Sequence, residues 1–367
     1  MSMDQNKEFA TPVENKSVPD QPQRPPQKKQ WLWTILFIAL AVASVWAVVA
    51  QSKDFSPKQF WEYIQTASIP WLGMSFLGML CFIFFEGMAL VCICRAFGYR
   101  TKKRSGFVYS ASDIYFSAIT PSASGGQPAS AYFMMKDGIP GMLVTVALLI
   151  NLVMYTISIL AIGAICLIFH FDVFLRFSTL SKLLIIVGIG TQVAMAFFFI
   201  MLLKNDKLLH RICRACLHFL CKIRILRKEE KKQARLDAYM ENYRQYAHML
   251  DGNLAMKIKV FFLNFLQRAA QIAVTAFTYL AMGGDLSQAF SVWTMQGYVV
   301  LGSNTVPIPG AMGVSDYIML DGFRSIMEES AAVNLELLSR SFSFYFCILI
   351  CGVTTLISFR LIKRRTH

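Results

Sequence analysis

Histidine is scarce in this chain, five in 367 residues, and none lies inside a long apolar run except His170 at the edge of one. There is no glycine-rich loop with a phosphate-binding lysine and no nucleophile motif. These absences exclude the enzyme classes built on such devices, so neither a catalytic residue nor a cofactor is expected. Acidic side chains are few too: 22 Asp or Glu stand against 36 Lys or Arg, a net charge of +14. The first apolar run has no small-residue cleavage site behind it, which argues for a retained span and against a removed signal peptide. Of nine cysteines, Cys81, Cys92, Cys94, Cys166, Cys347 and Cys351 sit in apolar runs, where a thiol behaves as a small apolar group; no disulfide is expected. His210, Cys213, Cys216, His218 and Cys221 crowd one basic stretch with no second, distant ligand pair to complete a zinc pattern, so no metal is expected.

What the chain has is hydrophobic length. It is 55% hydrophobic, and several runs approach the ~20 residues that cross a bilayer core. Full spans are expected at Trp31 to Ala50, Pro70 to Ile93, Gly141 to Phe169, Leu183 to Leu203, Ile258 to Met282 and Leu338 to Ile362. An ordinary soluble domain is excluded.

The location of the basic residues sets the topology. Lys28 and Lys29 precede the first span, Arg95 to Arg104 follow the second, and Lys363 to Arg365 end the chain. Between Lys204 and Lys259 there are fourteen Lys or Arg against six Asp or Glu. By the positive-inside rule these regions are cytoplasmic. A multi-pass protein of the cell membrane with both termini cytoplasmic follows. Connections near Gln51 to Ser68, His170 to Lys182 and Gly322 to Leu337 are neutral or slightly acidic and fall outside. Four parts are expected: a disordered tail over 1–30, a first membrane half over 31–203, a basic amphipathic segment over 204–257 lying on an anionic membrane surface, and a second membrane half over 258–367. An RNA-binding role for the basic segment lacks a recognisable domain.

Two segments break this pattern. Residues 105–136 contain "TPSASGGQPASAYFMM", and 287–323 contain "LGSNTVPIPGAMGVSDYIML". The first must leave and regain a cytoplasmic loop; the second has both ends outside. The fold expected is therefore an all-α polytopic membrane protein with about six full spans and two oppositely oriented re-entrant or broken-helix hairpins, an arrangement open to an inverted repeat with a midplane site. Proline kinks in ordinary spans are the alternative. Unpaired amides in hydrocarbon cost several kcal/mol, so broken segments should line a cavity. A helix restarting after Gly125 and Gly126, with Gln127 and Pro128 in its first turn, would aim its amides and the hydroxyls of Ser122 and Ser124 at an anion. Gly310 and Gly313 would serve similarly from the other side.

Charges within the spans add candidates. Arg268 lies ten residues, roughly 15 Å, into the span from Ile258, with Asn264, Gln267, Gln271 and Thr275 on or beside its face. It either pairs with an internal carboxylate or holds an anionic headgroup with its planar fork. Candidate counter-charges are Glu86, Asp113, Asp316 and Asp321. Glu86 lies deep in "FIFFEGMAL", where a helix-packing hydrogen bond is its plainer role. Asp113 and Asp316 flank the two breaks, where either would suit a cationic group such as a lysyl amine.

"TPSASGGQPASAY" at Thr120 to Tyr132 and "VPIPGAMGVSDY" at Val306 to Tyr317, within a hydrophobic layout over Trp31 to Arg364, resemble the flippase-like transmembrane region of lysylphosphatidylglycerol synthases. Where many members of that family carry Glu, this chain has Gln127 and Asp316. The resemblance implies handling of aminoacylated phosphatidylglycerol, a lipid that makes the surface less negative and weakens cationic antimicrobial peptides. It suggests a translocator of lysylphosphatidylglycerol whose partners are the membrane, an anionic or aminoacylated phospholipid and a separate lipid aminoacyltransferase. The alternatives are a phosphatidylglycerol lysyltransferase, which alone would engage lysyl-tRNA, and a scaffold for a separate synthase. The largest soluble piece, about fifty residues, is expected to be too small for a domain that binds charged tRNA.

Overall fold

Five helices are long and apolar enough to cross a membrane among the residues described by the computed structural model, which are 57–120, 124–222, 237, 253–306, 311 and 313–365. The described residues all fall within the compact unit Val45–His367. The N-terminal tail and the expected span from Trp31 to Ala50 lie outside them, as do Ser122, Gly310 and most of the basic segment after Lys222. The protein is an all-α polytopic membrane protein, with no strand among the described residues.

In chain order the helices are α1 (Pro57–Thr66), α2 (Ile69–Ala96), α3 (Lys103–Ile119), α4 (Gly126–Lys136), α5 (Gly141–Phe169), α6 (Phe171–Arg176), α7 (Thr179–Lys204), α8 (Asp206–Lys222), α9 (Leu254–Ala281), α10 (Ala289–Ser303), α11 (Val314–Phe323), α12 (Glu329–Arg340) and α13 (Cys347–Arg365). Local chemistry explains several ends. Ser178 accepts the Ser181 amide at 3.3 Å to start α7, and Asn253 accepts the Met256 amide at 3.0 Å to start α9. Pro70 occupies the first turn of α2, where its missing N–H is no loss.

The last span differs from the sequence expectation. It begins at Glu329, not Leu338, and runs to Ile362 through a π-helical turn at Ser341–Phe346. The connection expected at Gly322 to Leu337 is thus helical from Glu329 onward. Ala332, Leu335 and Leu338 fall on one buried face, while Glu336 and Arg340 are spaced to pair within the helix. A hydropathy reading discounts a segment whose charges are satisfied internally.

α2 and α9 run antiparallel in close contact. Ser68 donates its amide to the Ala281 carbonyl at 2.8 Å, Ser75 and Thr278 share a hydrogen bond of 3.2 Å, and Gly78 lets α9 approach so near that a Cβ would lie 3.3 Å from the Ala270 carbonyl. Two cores form along this axis. One, at the end carrying Arg95 to Arg104, joins Leu90 and Cys94 to Tyr109, Phe133, Met134, Leu143, Ile150 and Val260. The other, at the opposite end, joins Ile162 and Ile185 to Ile272, Met295, Tyr298, Ile318 and Phe323.

Each core clamps one hairpin. α3 and α4 pack on each other and into the first core; α10 and α11 do the same in the second. The hairpins therefore approach the middle of the bundle from opposite ends. In both halves the order is the same: a long helix, a broken hairpin, then another long helix. The mouth of the first hairpin is tied by the Tyr109 hydroxyl, which donates to Asp137 at 2.6 Å, and by Arg95, which holds the Thr101 carbonyl at 2.7 Å. The second is tied by Asp321, whose carboxylate accepts the Ser178 amide at 2.8 Å. Beyond α7 the basic segment opens as the helix α8, where His210 meets Asp237 at 2.6 Å and Arg214 donates to the same oxygen at 3.3 Å. The His210 contact first, with help from Arg214, holds the Asp237 carboxyl below its ordinary range.

Candidate functional site

The first hairpin breaks where Thr120 turns the chain. Its hydroxyl donates to the Phe116 carbonyl at 2.6 Å and accepts the Gly125 amide at 2.8 Å. The helix restarts at Gly126, as the sequence suggests, and Gly126 faces α3 so closely that a Cβ would collide with the Ser117 hydroxyl and the Asp113 carboxylate. The anion beside the start of α4 is thus Asp113 of the chain itself. Ser117 donates to it at 3.1 Å, and Gln127 donates at 2.6 Å. A carboxylate accepts only, so this contact fixes the orientation of the Gln127 amide. Ser124 lies exposed at the hairpin tip.

Glu86 sits on the facing side of α2. Helices α2 and α3 come together because Gly87 and Gly106 touch backbone to backbone, leaving no room for a Cβ on either. That contact brings the Ser110 hydroxyl to Glu86 Oε2 at 3.1 Å, and from α9 the Gln267 amide donates to the same oxygen at 3.0 Å. Glu86 and Asp113 are both buried.

Arg268 follows Gln267 and points to the second hairpin. Its guanidinium lies 4.4 Å from the Tyr155 ring centroid and 5.9 Å from that of Phe82, donates to Gln271, and reaches Asn304 Oδ1 at 3.4 Å. The Tyr155 hydroxyl donates to the same Asn304 oxygen at 3.0 Å. Among the described residues no carboxylate lies within 4.0 Å of Arg268, and its buried Nε has no hydrogen-bond partner. None of the four candidate counter-charges is its ion-pair partner.

The ion pair is made instead by Arg340, which bonds Asp316 and Ser315 and approaches Glu336 at 3.5 Å. Asp316 also accepts the Gly313 amide at 2.8 Å, capping α11 where Gly313 adopts φ +84°. Here too a carboxylate of the chain occupies the helix start.

Helix α9 joins these groups. Asn264, bonded to Asn151 at 3.0 Å, begins a polar stripe that continues through Gln267, Arg268 and Gln271 to Thr275, which shares a 2.6 Å hydrogen bond with Ser339 beside Arg340. The stripe covers twelve residues, about 16 Å along the helix. The Asn264 and Gln267 carbonyl oxygens are buried without partners. Carboxylates and amide carbonyls gather near Glu86, a guanidinium with an open donor lies near the middle, and together they suit a ligand carrying both an ammonium and a phosphate.

The structure brings Glu86, Asp113, Gly126, Gln127, Arg268 and Gln271 into one connected region, with Asp316 and Gly313 at the far end of the stripe. Ser110, Tyr155, Asn304, Ser315, Glu336 and Arg340 were not anticipated. For Glu336 and Arg340 a signal existed, the i,i+4 charge pair at the mouth of an apolar run. The others are ordinary polar residues whose role arises only from tertiary contact.

A family model described as "Lysylphosphatidylglycerol synthase TM region" matches residues 34–351, a stretch that includes both hairpins and all of α9. No curated protein and no solved structure matches the chain significantly.

Proposed function

The chain belongs to the family of lysylphosphatidylglycerol synthase transmembrane regions, and from that premise we propose that it carries aminoacylated phosphatidylglycerol from one leaflet to the other. It is a multi-pass membrane protein of lysylphosphatidylglycerol metabolism. The observation that carries the finer reading is Arg268, a half-buried arginine between the two hairpins that has no carboxylate partner among the described residues and whose buried Nε–H is open.

A guanidinium in that setting seeks an anion, and a phosphodiester matches its fork. Glu86, Asp113 and the unpartnered amide oxygens next to them suit the lysyl ammonium of the same headgroup. Acyl chains stay outside, against the exposed apolar faces of α2, α7 and α13, which carry Phe76, Leu77, Val187, Phe197, Leu349 and Phe359. The cytoplasmic side is the end with Arg95 to Arg104 and Lys204, by their positive charge. Display of the lipid on the outer surface of the cell membrane then lowers binding of cationic peptides.

The family description names a synthase, and this favours a second reading: that the chain serves transfer of lysine from lysyl-tRNA to phosphatidylglycerol, as the enzyme or its membrane part. Cells with and without the gene separate the two. Total lipid extracts report synthesis, and an amine-reactive reagent that cannot cross the membrane reports display. Translocation requires that the modified lipid persist in gene-deleted cells while its surface labelling falls. Loss of the lipid itself would transfer the assignment to synthesis.

A further inference from the structure

The two acid clusters differ in whether a cation of the chain touches them. Where the second hairpin meets α12, Asp316 and Glu336 share the guanidinium of Arg340. Beside the first, every hydrogen bond from the described residues to Glu86 and Asp113 comes from a neutral donor: Ser110, Gln267, Ser117 and Gln127. No Lys, Arg or His nitrogen among the described residues lies within 4.0 Å of either carboxylate. The groups that face Glu86 from the packed helices are Asp113 on α3, Arg268 on α9, and the thiol of Cys351 on α13. Arg268 supplies one positive charge at longer range against two carboxylates.

Two ionised carboxylates in a protein interior with one distant cation leave a net charge that is expensive to bury. Something cationic must join them. A second observation points to what it is: Gln267, which donates its amide N–H to Glu86, has a buried carbonyl oxygen with no donor, and so does Asn264 one turn earlier. The site is a wall of acceptors lacking donors.

We propose that Glu86 and Asp113 form a cation-exchange site, holding one proton when empty and releasing it when the headgroup ammonium enters, so that lipid movement is coupled to a proton gradient. This rests on the translocator reading above and adds its energy source. The exchange balances charge: one proton leaves the carboxylate pair as one ammonium arrives. The proton returns from the other side once the lipid has left.

The coupling has a thermodynamic signature. For a one-for-one exchange, a gradient of one pH unit shifts the equilibrium ratio of lipid between leaflets about tenfold. The test reconstitutes the full chain in phosphatidylcholine vesicles containing lysylphosphatidylglycerol, with the membrane potential clamped and leaflet content read by an impermeant amine-reactive reagent. A ratio near tenfold per pH unit, abolished by a proton-potassium exchanger, is expected. Glu86→Gln and Asp113→Asn should each bring the ratio to about one, whereas Glu329→Gln, in the exposed pair with Arg324, should leave the ratio as it is. If wild-type protein moves the lipid to an even distribution whatever the gradient, proton coupling is overturned and translocation stands. If it moves no lipid above protein-free vesicles, the translocator reading falls and the coupling with it.

Discussion

The hairpins α3–α4 and α10–α11 solve one problem in two ways. Both restart a helix inside an apolar bundle, and in both an aspartate stands at the new helix start, where amide N–H groups and the helix dipole favour negative charge. Asp113 does so from the preceding helix and is held by Ser117 and Gln127. Asp316 does so from within the third residue of its own helix and is locked by Arg340. Beside the second hairpin the carboxylates touch a cation; beside the first, among the described residues, they do not. Carboxylates held by a guanidinium of the chain suit a fixed support, and carboxylates held only by neutral donors suit a site that gains and loses a cation.

The contrast is sharpest when the two arginines are exchanged for alanine. Arg340→Ala strips the buried Glu336 and the half-buried Asp316 of their cation, and removing one partner of a buried ion pair costs about 3–5 kcal/mol. Unfolding in detergent, followed by circular dichroism, should show a loss of that size. A loss below about 1 kcal/mol would mean that Arg340 is not the support assigned to it.

Within the first hairpin a smaller effect is expected from Gln127→Glu. The change replaces the amide that donates to Asp113 with a second carboxylate facing it, and removing a donor from a buried charged acceptor costs roughly 1–3 kcal/mol. The same unfolding measurement checks it. A stabilised variant would show that Asp113 does not depend on a donor at that position.

Much of this arrangement is legible in the sequence because the membrane imposes simple rules. Long apolar runs gave the spans at Pro70 to Ile93, Gly141 to Phe169, Leu183 to Leu203 and Ile258 to Met282, each within four residues of a helix end or inside its helix. The glycine pair at Gly125 and Gly126 marked the helix restart, since only glycine permits that approach to Asp113. Arg268 and Gln267 were visible as polar residues too deep to be solvated. What the sequence concealed was pairing. Nothing local links Asp316 to Arg340, or Asn304 to Tyr155, which lie 149 positions apart. The start of the last long helix lies upstream of the expected run for the same reason, because Glu336 and Arg340 look solvated until their partners are known. Helix periodicity reports which face a residue is on; tertiary packing decides what that face meets.

In the proposed function Arg268 receives the headgroup phosphate between the hairpins. Its most direct test compares wild-type protein with Arg268→Ala in vesicles containing lysylphosphatidylglycerol, timing the exposure of inner-leaflet amines to an impermeant reagent. Loss of a charged partner costs at least ~2 kcal/mol, so the variant should move lipid at least about 30-fold more slowly while keeping its helical spectrum and its elution volume. Movement by Arg268→Ala as fast as that of the wild-type protein would contradict the assignment.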